Sequence, residues 1–150
     1  MSIPNRVAYL GLLCVALLLS ACSGLQKEPV AFELYAGNPA LPPPHQGMSV
    51  IQGVVQPELI QLTYRTSDGE GEESGEMVLR GEERQQCLQM LRRTKLQPAN
   101  AHNEGAEPLE VTLTDAAGQQ LAGVPANRNE WLAFARQIAA QREASQAPAL

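Results

Sequence analysis

The sequence predicts an α+β domain: a small antiparallel sheet with two amphipathic helices packed on one face, readable as two hairpin-helix units. Three observations predict it. Apolar and polar residues alternate with period two around Phe32 and Leu34, from Ile60 to Tyr64, and from Leu109 to Leu113, as half-buried strands require. Two later stretches carry apolar residues at helical spacing, around Cys87 and around Trp131. Between them, Asp115-Ala116-Ala117-Gly118 has the chemistry of a hairpin turn, with an Asp to open it and a Gly that can take positive φ.

In chain order, residues 30–35 read as the first strand. Residues 36–47 read as a loop, because Pro42, Pro43 and Pro44 cannot donate ladder hydrogen bonds and favour polyproline II. The β-branched run 48–55 and the alternating run 59–65 read as strands, the second with Gln61, Thr63 and Arg65 opposite its apolar face. Residues 66–75, with Asp68, Glu70, Glu72 and Glu73 among glycines, read as a solvated, charge-repelled hairpin tip before a short strand at 77–79.

Residues 82–95 then read as a helix. Cys87, Leu88 and Leu91 mark its apolar face, and Arg92, Arg93 and Lys95 crowd its last turn, as the macrodipole favours. Residues 97–108 lack periodicity and form a loop. The hairpin 109–121 follows, and Asn127 with Glu130 three residues on resembles a capping box opening the second helix. Trp131, Phe134, Ala135, Ile138 and Ala139 make its core-facing stripe, and residues 144–150 read as a disordered tail. The two helices can be laid over each other in pattern, a weak internal-repeat signal.

The first two dozen residues have a different character. Arg6 precedes an unbroken apolar run over residues 7–19, which ends in Leu19-Ser20-Ala21-Cys22-Ser23-Gly24. A helix spanning a bilayer needs about 20 apolar residues, and this run is shorter. The layout of charge, apolar stretch and small residues is that of a signal peptide. With Cys22 at the cut, it resembles the signal peptide and lipobox of a bacterial lipoprotein precursor.

The resemblance implies cleavage before Cys22, a diacylglyceryl thioether on its sulfur and an acylated amine. It implies no cofactor beyond that covalent lipid. Two or more acyl chains anchor stably where one does not. Ser23, in place of an Asp at the following position, favours the outer membrane by analogy. The expected organisation is signal peptide 1–21, lipidated N-terminus and tether 22–29, one periplasmic domain 30–143, and the tail. Cleavage would discard Cys14 and commit Cys22 to lipid, leaving Cys87 without an intrachain partner. Cys87 then reads as a small buried hydrophobe, with an intermolecular bridge as the alternative.

Removing residues 1–21 takes Arg6 from the 11 Lys and Arg and none of the 16 Asp and Glu, so the remainder is more acidic than the full chain at −5. That balance argues against a nucleic-acid binder and against electrostatic docking on anionic lipid. The chain has no Gly-x-Ser-x-Gly, His-Glu-x-x-His, Cys-x-x-Cys or phosphate-cradling glycine loop. Its two histidines, His45 and His102, fall in loops. The acidic stretch offers oxygen ligands but misses the EF-hand pattern, with Glu73 at the required Gly and Leu79 where the bidentate Glu belongs.

The expectation is therefore a non-enzymatic binding or assembly module, with no metal site, engaging an envelope protein or peptidoglycan. Pro42, Pro43, Pro44, Asp68, Glu70, Glu72 and Glu73 are its candidate contacts. The rival readings are an envelope hydrolase whose site forms only in the fold, and cation or small-ligand binding by the acidic stretch.

Overall fold

The computed structural model describes residues 25, 27–38, 47–68, 71–98 and 108–146. The apolar run, Cys22, the proline triplet, Glu70, both histidines and residues 147–150 lie outside them. In chain order the elements are β1 (Pro29–Asn38), β2 (Gly47–Val55), β3 (Ile60–Asp68), β4 (Gly71–Leu79), α1 (Gly81–Arg93), β5 (Leu96–Gln97), β6 (Leu109–Asp115), β7 (Gln120–Pro125) and α2 (Arg128–Gln146). The fold is mixed α+β.

The strands form one seven-stranded sheet in the order β4-β3-β2-β1-β6-β7-β5, with every neighbouring pair antiparallel. It is larger than the small sheet expected from the sequence. Part of the difference is β5, whose two residues pair Leu96 with Pro125 and Gln97 with Val124. The rest lies in strands that run further than their apolar cores. β1 continues through Ala36 to Asn38, residues expected to be loop.

The acidic stretch is the main correction. β3 and β4 pair without interruption from Ile60 opposite Leu79 to Asp68 opposite Gly71. Backbone ladder bonds do not depend on side-chain polarity, and β4 is an edge strand, where exposed charge is tolerated and discourages unwanted pairing.

β1 sits at the centre. Phe32, Leu34 and Ala36 alternate onto one face, opposite Gly53, Ile51 and Ser49 of β2 and opposite Leu113, Val111 and Leu109 of β6. That face is buried: Leu34, Ile60, Leu62 and Val111 have no exposed area. Gly53 is required here, because a Cβ at that position would collide with the Phe32 ring lying across it.

Phe32 also links the sheet to α2. Its ring meets Trp131 edge-on at 5.5 Å between centroids and Phe134 at 6.0 Å, and those two meet at 6.2 Å. Such pairs contribute about 0.5–1.5 kcal/mol each beyond burial. Trp131 is fully buried. Its Nε1–H donates to Thr94 Oγ1 at 3.0 Å, and that hydroxyl donates to the Met90 carbonyl at 2.8 Å. The end of α1 and the start of α2 are thereby joined through one indole.

α1 buries Cys87, Met90 and Leu91 and carries Glu82 and Glu83 in its first turn, Arg92 and Arg93 in its last. It ends two residues earlier than expected, at Arg93. Lys95 lies beyond it, and its carbonyl accepts from the Ala126 N–H at 2.8 Å. The connection that α1 makes runs from β4, one edge of the sheet, to β5, the other. α2 returns: it starts beside β7, and Arg142 reaches Thr66 of β3 at 2.7 Å and Glu73 of β4 at 3.0 Å. The helix continues through Ala144 to Gln146, where a tail was expected.

The Asn127 cap differs from the expected box. Glu130 N–H bonds to the Asn127 backbone carbonyl at 3.0 Å, while the Asn127 amide donates to the Met90 carbonyl at 3.4 Å and to the Glu130 carboxylate at 3.5 Å. The side chain thus engages α1 and Glu130 through its amide nitrogen, while its Oδ1, the atom that would accept a cap bond, accepts none. Both hairpin-helix successions occur, β3–β4–α1 and β6–β7–α2. Their hairpins, though not their helices, occupy opposite sides of the central β1–β2 pair.

Candidate functional site

Strand alternation that buries Phe32, Ile51, Leu62 and Val111 turns their neighbours to the other face. One row across that face runs Thr112, Glu33, Gln52, Thr63, Glu76, each directly opposite the next. Gln52 Nε2 donates to the Glu33 carboxylate at 2.5 Å, and Thr63 Oγ1 donates to Gln52 Oε1 at 3.4 Å. The next row carries Val54, Gln61 and Val78 in register; Val54 is 51% and Val78 45% exposed, the large hydrophobics most open to solvent among the described residues. This is a broad face with a polar, cross-linked centre and exposed valines beside it.

An open cavity of about 420 Å³ lies on this face, lined by Val50, Gln52, Thr63, Arg65, Ser74 and Glu76 among others. It offers hydroxyl, amide, carboxylate and guanidinium groups within one patch. Ser74 and Thr63 have no histidine beside them among the described residues, both histidines lying outside those residues. No group of three or more His, Cys, Asp or Glu is placed to hold a metal ion among the described residues. The described lining groups offer hydrogen-bond donors, acceptors and charge.

The acidic stretch does not act as one cluster. Alternation sends Glu72 to the open face, where it pairs with Arg65 at 3.6 Å, and Glu73 to the other, where it pairs with Arg142 at 3.0 Å. The Arg142 side chain is 18% exposed and also donates to Thr66, so the Glu73 arm works as a latch between α2 and the β3–β4 hairpin. Asp68 closes β3 opposite Gly71. Cys22, Pro42, Pro43, Pro44 and Glu70 lie outside the described residues.

The strand ends nevertheless bring the candidate segments together. Asn38, Gly47, Asp68 and Gly71 stand side by side at one end of the sheet. The connection carrying the proline triplet and the one carrying Glu70 both leave from that end. Residues 99–107 also rejoin the fold there, since Gly37 N–H bonds to the Pro108 carbonyl at 3.0 Å. The chain enters β1 at Pro29, at the opposite end, beside Asp115.

Cys87 is buried, as expected of a small hydrophobe. Burial pushes its thiol up to about 12, which leaves it without nucleophilic character at neutral pH.

The open-face row was not singled out in the sequence, because Gln, Thr and Glu alternating with apolar residues is how any solvated sheet face reads. Its one signal was the run of Gln61, Thr63 and Arg65 opposite Ile60, Leu62 and Tyr64. No family model, curated protein or solved structure matches this chain.

Proposed function

We propose that the chain is an envelope lipoprotein, held to the outer membrane through acylated Cys22, whose periplasmic domain is a non-enzymatic module that binds another envelope component. In this reading both helices lie on one face of the sheet and the opposite face is the binding surface. The observation that carries it is polarity along the strands. The chain enters at one end, while the connections bearing the proline triplet and the acidic residues leave from the other.

Nine paired residues at about 3.4 Å each set those ends roughly 30 Å apart. A protein tethered at the Pro29 end thus presents the far end and the Glu33–Gln52–Thr63 row away from the bilayer. The wide hydrogen-bonding face, with no nucleophile–base pair among the described residues, supports recognition over turnover.

The test is to purify the protein from membranes after crosslinking in intact cells, identify its neighbours, and weigh the N-terminal peptide in the same run. The reading predicts a triacylated Cys22 peptide and one recurrent protein or peptidoglycan partner. An unmodified peptide spanning residues 20–24 would contradict the anchor, and background-level crosslinks would contradict the module.

A further inference from the structure

A second, larger recess of about 820 Å³ lies where the chain enters the fold. Its floor is leucine: Leu91 and Leu113 are buried, and Leu25, Leu96 and Leu121 are partly so. Its rim is basic, with Lys27, Arg92 and Lys95 against a single acid, Glu28, among the described lining residues. Glu28 engages Arg92 at 3.1 Å, with both side chains more than half exposed, so the two lysines are left without an acidic neighbour in the lining. In a chain with net charge −5, this is a local reversal of sign.

We propose that this recess holds one anionic phospholipid of the membrane to which the protein is tethered, with an acyl chain on the leucines and the phosphate between Lys27 and Lys95. The inference rests on the lipoprotein reading above. Three arguments converge on that occupant. An apolar floor with a cationic rim is complementary to an amphiphile with a negative head, and not to a neutral one. Leu25, which lines the recess, lies three residues after Cys22, so the anchored residue is within about 10 Å of contour length of it. Tethering at that distance holds the recess at the bilayer surface, where lipid is abundant and the local concentration is high. The acidic whole-chain balance argued against docking on anionic lipid. The folded distribution gathers the lysines at the one place where such docking is geometrically available.

The experiment is native mass spectrometry of the full chain, purified from membranes in an uncharged detergent, with added dimyristoyl phosphatidylglycerol or dimyristoyl phosphatidylcholine. The expected result is a one-to-one adduct with the anionic lipid that exceeds the zwitterionic one by about thirtyfold. Replacing both Lys27→Ala and Lys95→Ala, two exposed positions that leave the core untouched, removes that preference. Leu121→Glu weakens adducts with both lipids.

Equal adducts for the two lipids, or a preference that survives the lysine substitutions, overturns the proposal. An adduct that forms only when Cys22→Ser removes the anchor also overturns it, because the protein's own acyl chain is then the occupant. The intact mass in the same spectra reports Cys22 acylation separately. Failure of the anchor and failure of the recess are therefore told apart.

Discussion

Thr94 joins the two helices through a single hydroxyl, and Thr94→Val tests that junction with little change of shape. The hydroxyl accepts from Trp131 Nε1–H at 3.0 Å and donates to the Met90 carbonyl at 2.8 Å. Valine makes neither bond. Met90 keeps a second donor, the Asn127 amide at 3.4 Å, so most of the cost falls on the indole N–H of a side chain with no exposed area. Leaving such a donor unsatisfied costs about 1–3 kcal/mol. Thr94 itself is half-buried, and water can recover part of that, so the expected loss is about 2 kcal/mol.

Urea unfolding followed by far-UV circular dichroism reads it as a lower midpoint at constant slope. The double variant isolates the bond. In a Trp131→Phe background there is no N–H to strand, and Thr94→Val then costs about 1 kcal/mol less than in the parent. Equal costs in the two backgrounds would refute the claim that this hydrogen bond couples α1 to α2.

Other expectations follow from the same contacts. Arg142→Ala removes the Glu73 pair and the Thr66 bond together, and is expected to cost about 1 kcal/mol and to speed amide exchange at the β3–β4 tip. Glu72→Ala, at a pair where both partners are more than half exposed, changes the unfolding midpoint by less than the error of the measurement. Gly53→Ala forces a methyl into the Phe32 ring and is expected to cost about 1–3 kcal/mol, read as a lower midpoint with a perturbed near-UV Trp131 signal.

Cys87 ionises in the folded state only near pH 12 but in the unfolded chain near its ordinary value of 9.0. The unfolded state therefore loses its proton first, and stability falls as pH rises between those values. A Cys87→Ala variant should show a shallower alkaline decline. A thiol reagent at pH 8 should label the parent only as fast as it unfolds.

Much of the fold was legible because local periodicity and burial agree. The alternation at Phe32 and Leu34, at Ile60 and Leu62, and at Leu109, Val111 and Leu113 marks the buried sheet face. The stripe Trp131, Phe134 and Ile138 is the buried face of α2. Asp115 and Gly118 make the expected turn, with Gly118 at φ 79° and Asp115 Oδ1 accepting from the Ala117 and Gln119 N–H groups.

What was not legible is non-local. Nothing near residue 32 says that β6, arriving some eighty residues later, will pair along the free side of β1. The length of β4 was hidden because four glutamates and two glycines between residues 70 and 76 read as solvent-loving. Their backbone, however, had β3 to pair with. The geometry at Asn127 is not legible locally because its amide nitrogen turns to the Met90 carbonyl of another helix and its Oδ1 makes no cap bond.

The candidate contacts were legible only as segments. Their convergence on one end of the sheet depends on the register of Asn38, Gly47, Asp68 and Gly71. The open-face row went unnoticed because, residue by residue, it is ordinary surface.

The most direct test of the account is a photoreactive amino acid placed in living cells at Thr112 or Gln61 on the open face, compared with Arg136 or Ala133 on the exposed side of α2. The account predicts one discrete crosslinked envelope component from the open-face positions and none from the helix. Equal labelling from both sides, or none from Thr112 and Gln61 while the protein remains membrane-bound, would contradict it.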